Sequence, residues 1–180
     1  MNTKKTKTMY FNKSGRNGNH MFTVNNLPIE EVKQYKYLGI QISASGSFKE
    51  ARQHLHDVAS KAMYKIKRFL DLKHVGVKTA LHLFDTLIAP ILLYGCEITN
   101  FINITERMEN KKYAYFEKIL EWPQEKLPIN FCRFILGVNN KTTKIAVLSE
   151  LGRYPLFLKA LKQVWKYQKR CEIMNTDSAL

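Results

Sequence analysis

The chain is short of acidic residues: 15 Asp and Glu stand against 29 Lys and Arg in 180 residues, a formal charge of +14. A chain this basic is not built for an electropositive partner; its natural partner is a polyanion. Nucleic acid is the first candidate and an anionic membrane surface the second, with an inert basic surface as the bland reading. Long apolar runs are absent too. The most apolar stretch, Leu81–Ile98, carries His82, Asp85, Thr86, Pro90 and Glu97, so it is too interrupted to span a bilayer. The basic N-terminus is not followed by the apolar segment of a secretory signal. These features predict an intracellular protein, cytoplasmic or nuclear, with no membrane partner.

Cysteine is scarce. Cys96, Cys132 and Cys171 are odd in number and far apart, without the paired short spacing of a zinc site or a disulfide framework. Each stands among apolar residues, which predicts buried thiols. The five histidines (His20, His54, His56, His74 and His82) make no ligand pattern with them. His54 and His56, two apart on a helix, point in different directions. Asp57, Asp71 and Asp85 are scattered polar positions, not a paired-carboxylate motif for two metal ions. Glu30-Glu31 reads as turn surface. A Gly-rich phosphate loop, a nucleophile elbow and a zincin helix are all missing. No internal repeat or low-complexity tract interrupts the chain.

Apolar residues make up 45% of the sequence and aromatics 12%, enough for a packed core. The pattern is α+β. Thr8–Asn12 and Met21–Asn25 are short apolar runs around a turn-rich cluster, Ser14–Asn19, and predict a hairpin with a loose loop. Asn25-Asn26 predicts a turn into Leu27. Tyr35–Ile42 reads as one further strand, with Tyr35 and Tyr37 on one face as candidates for base stacking. At Ser43–Gly46 the period changes. Ser47 and Glu50 suggest a capping box, followed by a long amphipathic helix to about Leu72 with Phe48, Ala51, Leu55, Val58, Ala59, Ala62, Met63, Ile66, Phe69 and Leu70 on its apolar side.

His74–Gly76 breaks that helix. A second begins at Val77 and is interrupted at Pro90; Ile88–Cys96, apolar nearly all round, should be the most buried part. Further helices are expected over 105–121, 126–136 and 143–151. A last one starts at Pro155 and runs to about Cys171, leaving a frayed tail at 175–180. The expected organisation is small antiparallel β hairpins in 1–45, a helical region in 46–122, and a second helical region in 123–174.

The positive charge is patterned. At 100° per residue, Lys159, Lys162, Lys166, Lys169 and Arg170 fall in a sector of about 100°, with Phe157, Leu158, Leu161, Val164 and Trp165 expected opposite. Lys61, Lys65 and Arg68 share one face of the first long helix. Rigid stripes of cations are what phosphate tracking needs, although a solvated helix face looks the same.

Five segments, in order, resemble the part of a non-LTR (LINE-like) retrotransposon reverse transcriptase that follows its catalytic aspartates. Asn2–Phe11 is similar to the N-x-x-K-T-K-x-M-x-F segment, the fourth polymerase motif of the palm. Tyr35–Ile42 is similar to the K-Y-L-G-x-x-I segment of the primer-grip hairpin. Ala89–Glu97 is similar to P-x-L-x-Y-G-x-E of the helical thumb. Phe131–Val138 and Ala146–Leu156 resemble conserved stretches beyond it.

The resemblance implies the end of the palm, the primer grip, a thumb-like bundle and part of the next region of an RNA-directed DNA polymerase of a transposable element. In it, Lys5 matches the lysine that assists the pyrophosphate leaving group. Tyr37, Leu38 and Gly39 match the primer grip, and the helix from Ser47 would be the first thumb helix. The implied partners are RNA, an RNA–DNA hybrid or DNA, with the fingers and the rest of the palm as the intramolecular partner in the intact element. The family's Y/F-A-D-D turn, which holds divalent metal (Mg in the parent enzyme), would lie before residue 1. The expectation is therefore an inactive fragment with no cofactor of its own, starting inside an element. The alternatives are a repurposed basic nucleic-acid-binding module and a non-functional relic.

Overall fold

The computed structural model describes residues 6–12, 21–24, 26–71, 74–99, 120 and 123–177, with side chains to 174. Lys5 and nearly all of the helix expected over 105–121 lie outside the described residues. The chain forms two compact units, Met1–His54 and Leu55–Leu180, an α+β arrangement with the strands in the first.

The first unit is built from short strand pairs. β1 (Lys7–Thr8) runs parallel to β4 (Glu30–Glu31), β2 (Thr23–Val24) is antiparallel to β3 (Leu27–Pro28), and β5 (Gln34–Tyr37) is antiparallel to β6 (Ile40–Ser43). The expected hairpin between Thr8–Asn12 and Met21–Asn25 is corrected here. Asn26 adopts φ +59°, a left-handed conformation that Asn tolerates. It folds the chain back at once, so Thr23–Val24 pairs with its nearest neighbour in sequence, the short loop that is cheapest to close. β1 is left to pair with Glu30–Glu31, which are strand and not turn. The Val32 N–H extends that ladder to Thr8 O at 2.8 Å, and the Asn12 N–H reaches Ala44 O at 3.0 Å.

Tyr35–Ile42 is likewise two strands and a turn, not one strand. Leu38 and Gly39 have φ +47° and +84°, and Tyr37 pairs with Ile40 across them. Two successive positive φ values mark a type I′ turn, whose twist matches that of the flanking strands. Glycine takes that conformation freely; leucine does so at a cost of about 1–2 kcal/mol.

α1 (Lys49–Phe69) starts in the first unit. Ser47 Oγ accepts the Lys49 N–H at 3.2 Å, while the Ser47 N–H goes to Ser45 Oγ at 3.4 Å. The hydroxyl thus satisfies one orphan donor as expected, and the Ser47 N–H bonds Ser45 where a capping box would bring back the Glu50 carboxylate.

In the second unit follow α2 (Val77–Leu87), α3 (Ala89–Leu93), α4 (Cys96–Thr99), α5 (Pro123–Leu136), α6 (Lys144–Glu150) and α7 (Leu156–Asp177). Pro90, in the first turn of α3, has no N–H to continue α2, so the chain kinks at Ile88. Ile88, Ala89, Leu92 and Cys96 are buried around that kink, but Tyr94 between them is exposed. The main core joins Ala59 and Met63 of α1, Ala80 and Phe84 of α2, Ile88, Leu92, Leu127, Phe131, Ile135 and Leu156. The Phe84 and Phe131 rings lie 4.9 Å apart between centroids, the usual aromatic packing distance.

α5 is the centre of this unit. Leu127, Phe131 and Ile135 recur every four residues toward the main core, whereas Ile129 and Cys132 face a second cluster with Leu120, Val147 and Leu148. Truncating Phe84 or Phe131 to Ala would cost about 3–5 kcal/mol. α7 runs six residues past the expected end and takes in 175–177, which the sequence suggests as frayed.

Candidate nucleic-acid interface

The β5–β6 turn projects its residues. Leu38 is 71% exposed at the tip, and Tyr35 and Tyr37 are also exposed. Beside them lies a cavity of about 410 Å³ whose lining includes Phe11, Val32, Tyr35, Tyr37 and Ile42, with Lys7 at its edge. Lys7 Nζ is ion-paired with Glu30 Oε2. Tyr35 and Tyr37, the aromatic residues expected to stack bases, therefore share one hollow within the first unit, and Leu38 and Gly39 at the turn are not among its lining residues.

On α1, Lys61, Lys65 and Arg68 are all exposed. Tyr64 falls in the same 100° sector and is exposed, and Phe69, at the end of the helix, is 87% exposed. Phe69 and Val58 were expected on the apolar side and are corrected: the buried positions Ala59 and Met63 define that side, and Val58 and Phe69 turn away from it. Lys67 belongs elsewhere. Its Nζ lies 4.7 Å over the Phe134 ring, and burial lowers its pKa.

α7 carries the second stripe. Lys162, Lys166, Lys169 and Arg170 are exposed. Lys159 is exposed as well, but its Nζ is 3.0 Å from Asp85 Oδ1. The buried side of α7 is Leu156, Phe157, Ala160 and Val164. Leu158 and Trp165, expected among them, are exposed instead. Leu158 and Lys162, like Trp165 and Lys169, are four residues apart and so are neighbours on the helix surface. Trp165 is 57% exposed, and Lys169 Nζ stands 4.2 Å over its ring, a cation–π pair on an open face.

Two carboxylates hold this helix in place. Glu125 on α5, only 2% exposed, accepts the Leu156 N–H at 3.1 Å and the Phe157 N–H with its other oxygen. It satisfies two of the donors left unpaired at the start of α7. Burial raises its pKa, and the two backbone donors counter this only in part. Asp85 on α2 takes Arg153 Nη1 and Nη2 at 2.6 and 2.8 Å. Burial alone would raise the Asp85 pKa, but the hydrogen bonds and charges of Arg153 and Lys159 outweigh it and hold the carboxyl below its ordinary value. Arg153 is placed for this by Gly152, whose φ of +59° lets the Arg153 N–H return to Leu148 O at 2.8 Å.

Cys96 and Cys132 are buried and Cys171 is half-buried, all three free. Burial, aided by Glu97, pushes the Cys96 thiol up to about 12, and the thiol donates to Gln163 Oε1 at 2.8 Å, tying α4 to α7. Burial raises the Cys132 thiol as well, so Cys96 and Cys132 read as packing thiols.

Among the described residues no group of three or more His, Cys, Asp or Glu side chains could hold a metal ion. The two carboxylates best placed in the second unit already serve Arg153 and the start of α7. No helix among the described residues is long and apolar enough to cross a membrane. Sequence reasoning missed Glu125, because its partners are about thirty residues away, and the exposure of Trp165, because an aromatic at helical spacing reads as core; Tyr64 was not singled out by the sequence. No family model matches the chain, and no curated protein or solved structure matches it.

Proposed function

We propose that this chain binds nucleic acid as a non-LTR reverse transcriptase does with the end of its palm, its primer grip and its thumb. The observation that carries the reading is the pair of exposed basic stripes, Lys61–Lys65–Arg68 on α1 and Lys162–Lys166–Lys169–Arg170 on α7, each with an exposed aromatic beside it. Cations on rigid helices track phosphates without reading sequence. Tyr64 and Trp165 give bases a face to stack on, as in single-strand binders. The β5–β6 turn adds an exposed tip at Leu38–Gly39, where backbone can approach a primer end closely.

RNA, an RNA–DNA hybrid and DNA are the ligands these basic stripes suit. The test is binding of the full chain to a single-stranded RNA and to an RNA–DNA hybrid at low and rising salt. Binding should weaken steeply as salt rises; no binding at low salt removes the proposal.

A further inference from the structure

The two basic stripes repeat one arrangement of residues. On α1, Tyr64 follows Lys61 by three residues, Lys65 comes next, and Arg68 closes the set three residues later. On α7, Lys162, Trp165, Lys166 and Lys169 stand at the same offsets. Residues three and four apart are neighbours on a helix surface, so each aromatic ring has a cation one turn before it and another one turn after it. All of these side chains are exposed, Tyr64 to 66% and Trp165 to 57%. Rings this open forgo the burial that usually holds an aromatic in place. The cations are available as well. Asp57, one turn before Lys61, lies 3.5 Å from His56 Nδ1, and Glu172, one turn after Lys169, accepts from Gln168 Nε2 at 3.3 Å. Among the described residues no carboxylate pairs with Lys61, Lys65, Arg68, Lys162 or Lys166. Lys169 Nζ stands over one face of the Trp165 ring and leaves the other face to a ligand.

We infer that each set is a clamp for one unpaired nucleotide, with the base stacked on Tyr64 or Trp165 and the flanking phosphates held by the cations on either side, so that the protein selects single strands over duplexes. This selectivity rests on the nucleic-acid binding proposed above and adds to it the state of the strand. Phosphate contacts carry no information about the bases, and cations alone would hold a paired strand as readily as an unpaired one. Stacking changes that. A base inside a duplex has both faces covered by its neighbours, whereas an unpaired base can be splayed out onto an aromatic side chain. Every base has a π face, so the clamp tolerates any sequence.

The test follows the fluorescence anisotropy of three labelled probes of one length, titrated with the full chain at low salt: a single-stranded RNA, a strand of the same charge carrying abasic sugars, and a blunt RNA–DNA hybrid. Tyr64→Ala, Trp165→Ala and the two combined are the working variants, all at exposed positions, and thermal melting checks that they fold. The wild type should bind the RNA about tenfold more tightly than the abasic strand, the loss expected for one stacked base or more. The combined variant should lose about that factor on the RNA and little on the abasic strand or the hybrid. Each single variant should carry part of the loss, and Tyr64→Trp should keep wild-type affinity. An abasic strand bound as tightly as the RNA, a folded combined variant that binds the RNA like the wild type, a loss carried wholly by one of the two rings, or an equal loss on the hybrid overturns the inference and leaves nucleic-acid binding standing. Absence of binding to all three probes removes both.

Discussion

Asp85 grips Arg153 with both carboxylate oxygens, at 2.6 and 2.8 Å, and holds Lys159 at 3.0 Å with one of them. One residue of α2 thereby fixes the turn before α7 and occupies the first cation of the α7 stripe. Lys162, Lys166, Lys169 and Arg170 are the part of that stripe open to a phosphate backbone.

Asp85→Asn separates these two roles. Losing the charge-assisted pair should lower stability by about 1–2 kcal/mol, the low end for a charged hydrogen-bonded pair because Asp85 is about a third exposed. The same change releases Lys159, so affinity for single-stranded RNA should rise. Because the folded-state pKa of Asp85 is depressed, its stabilisation is full above the ordinary carboxylate range and is lost as pH falls through the folded value. Urea unfolding across acidic pH should show that loss in the wild type and much less of it in the variant.

Glu125→Ala should be the more damaging change. It leaves the Leu156 and Phe157 N–H groups buried without acceptors, at about 1–3 kcal/mol for each. The pH dependence has the opposite sign to that of Asp85. A carboxyl whose folded pKa is raised stabilises most below its unfolded value, near 4.3, and the gain is lost as pH rises through the folded value. Denaturation midpoints measured upward from about pH 4 should therefore fall from this group in the wild type; Glu125→Gln should remove that component.

The helices were legible because their apolar positions recur with period 3.6 and their breaks are chemical: Pro90 cannot continue α2. Strand partners were not, because a two-residue strand carries no period and its pairing depends on which turn closes first. Asn26 is an ordinary turn residue and could be read. Leu38 at φ +47° breaks turn chemistry, so the run Tyr35–Ile42 looked continuous. The basic stripes could be counted from spacing alone. The exposed aromatics beside them could not, since Phe69 and Trp165 satisfy the same spacing rule as the core.

Leu38→Asn, giving the Asn-Gly pair that a type I′ turn prefers, should raise stability by about 0.5–1 kcal/mol, since Asn adopts the left-handed region more readily than leucine. If the tip grips a primer end, the same variant binds a primed RNA–DNA hybrid more weakly. Thermal melting and hybrid binding measured on one preparation separate the two effects.

Trp165→Ala should weaken binding to single-stranded RNA by about 1–3 kcal/mol, the range for one stacked base, with little change in melting temperature because the ring is exposed. Its salt dependence should stay that of the wild type, since no charge is removed.

The most direct test is the salt dependence of single-stranded RNA binding by the wild type and by a variant with Lys162, Lys166 and Lys169 all changed to Gln. The slope of log K against log salt is about −0.7 for each phosphate neutralised on a single strand. The account expects salt-sensitive binding whose slope becomes shallower by about 2 in the variant. An unchanged slope, or no binding by the wild type at low salt, would contradict it.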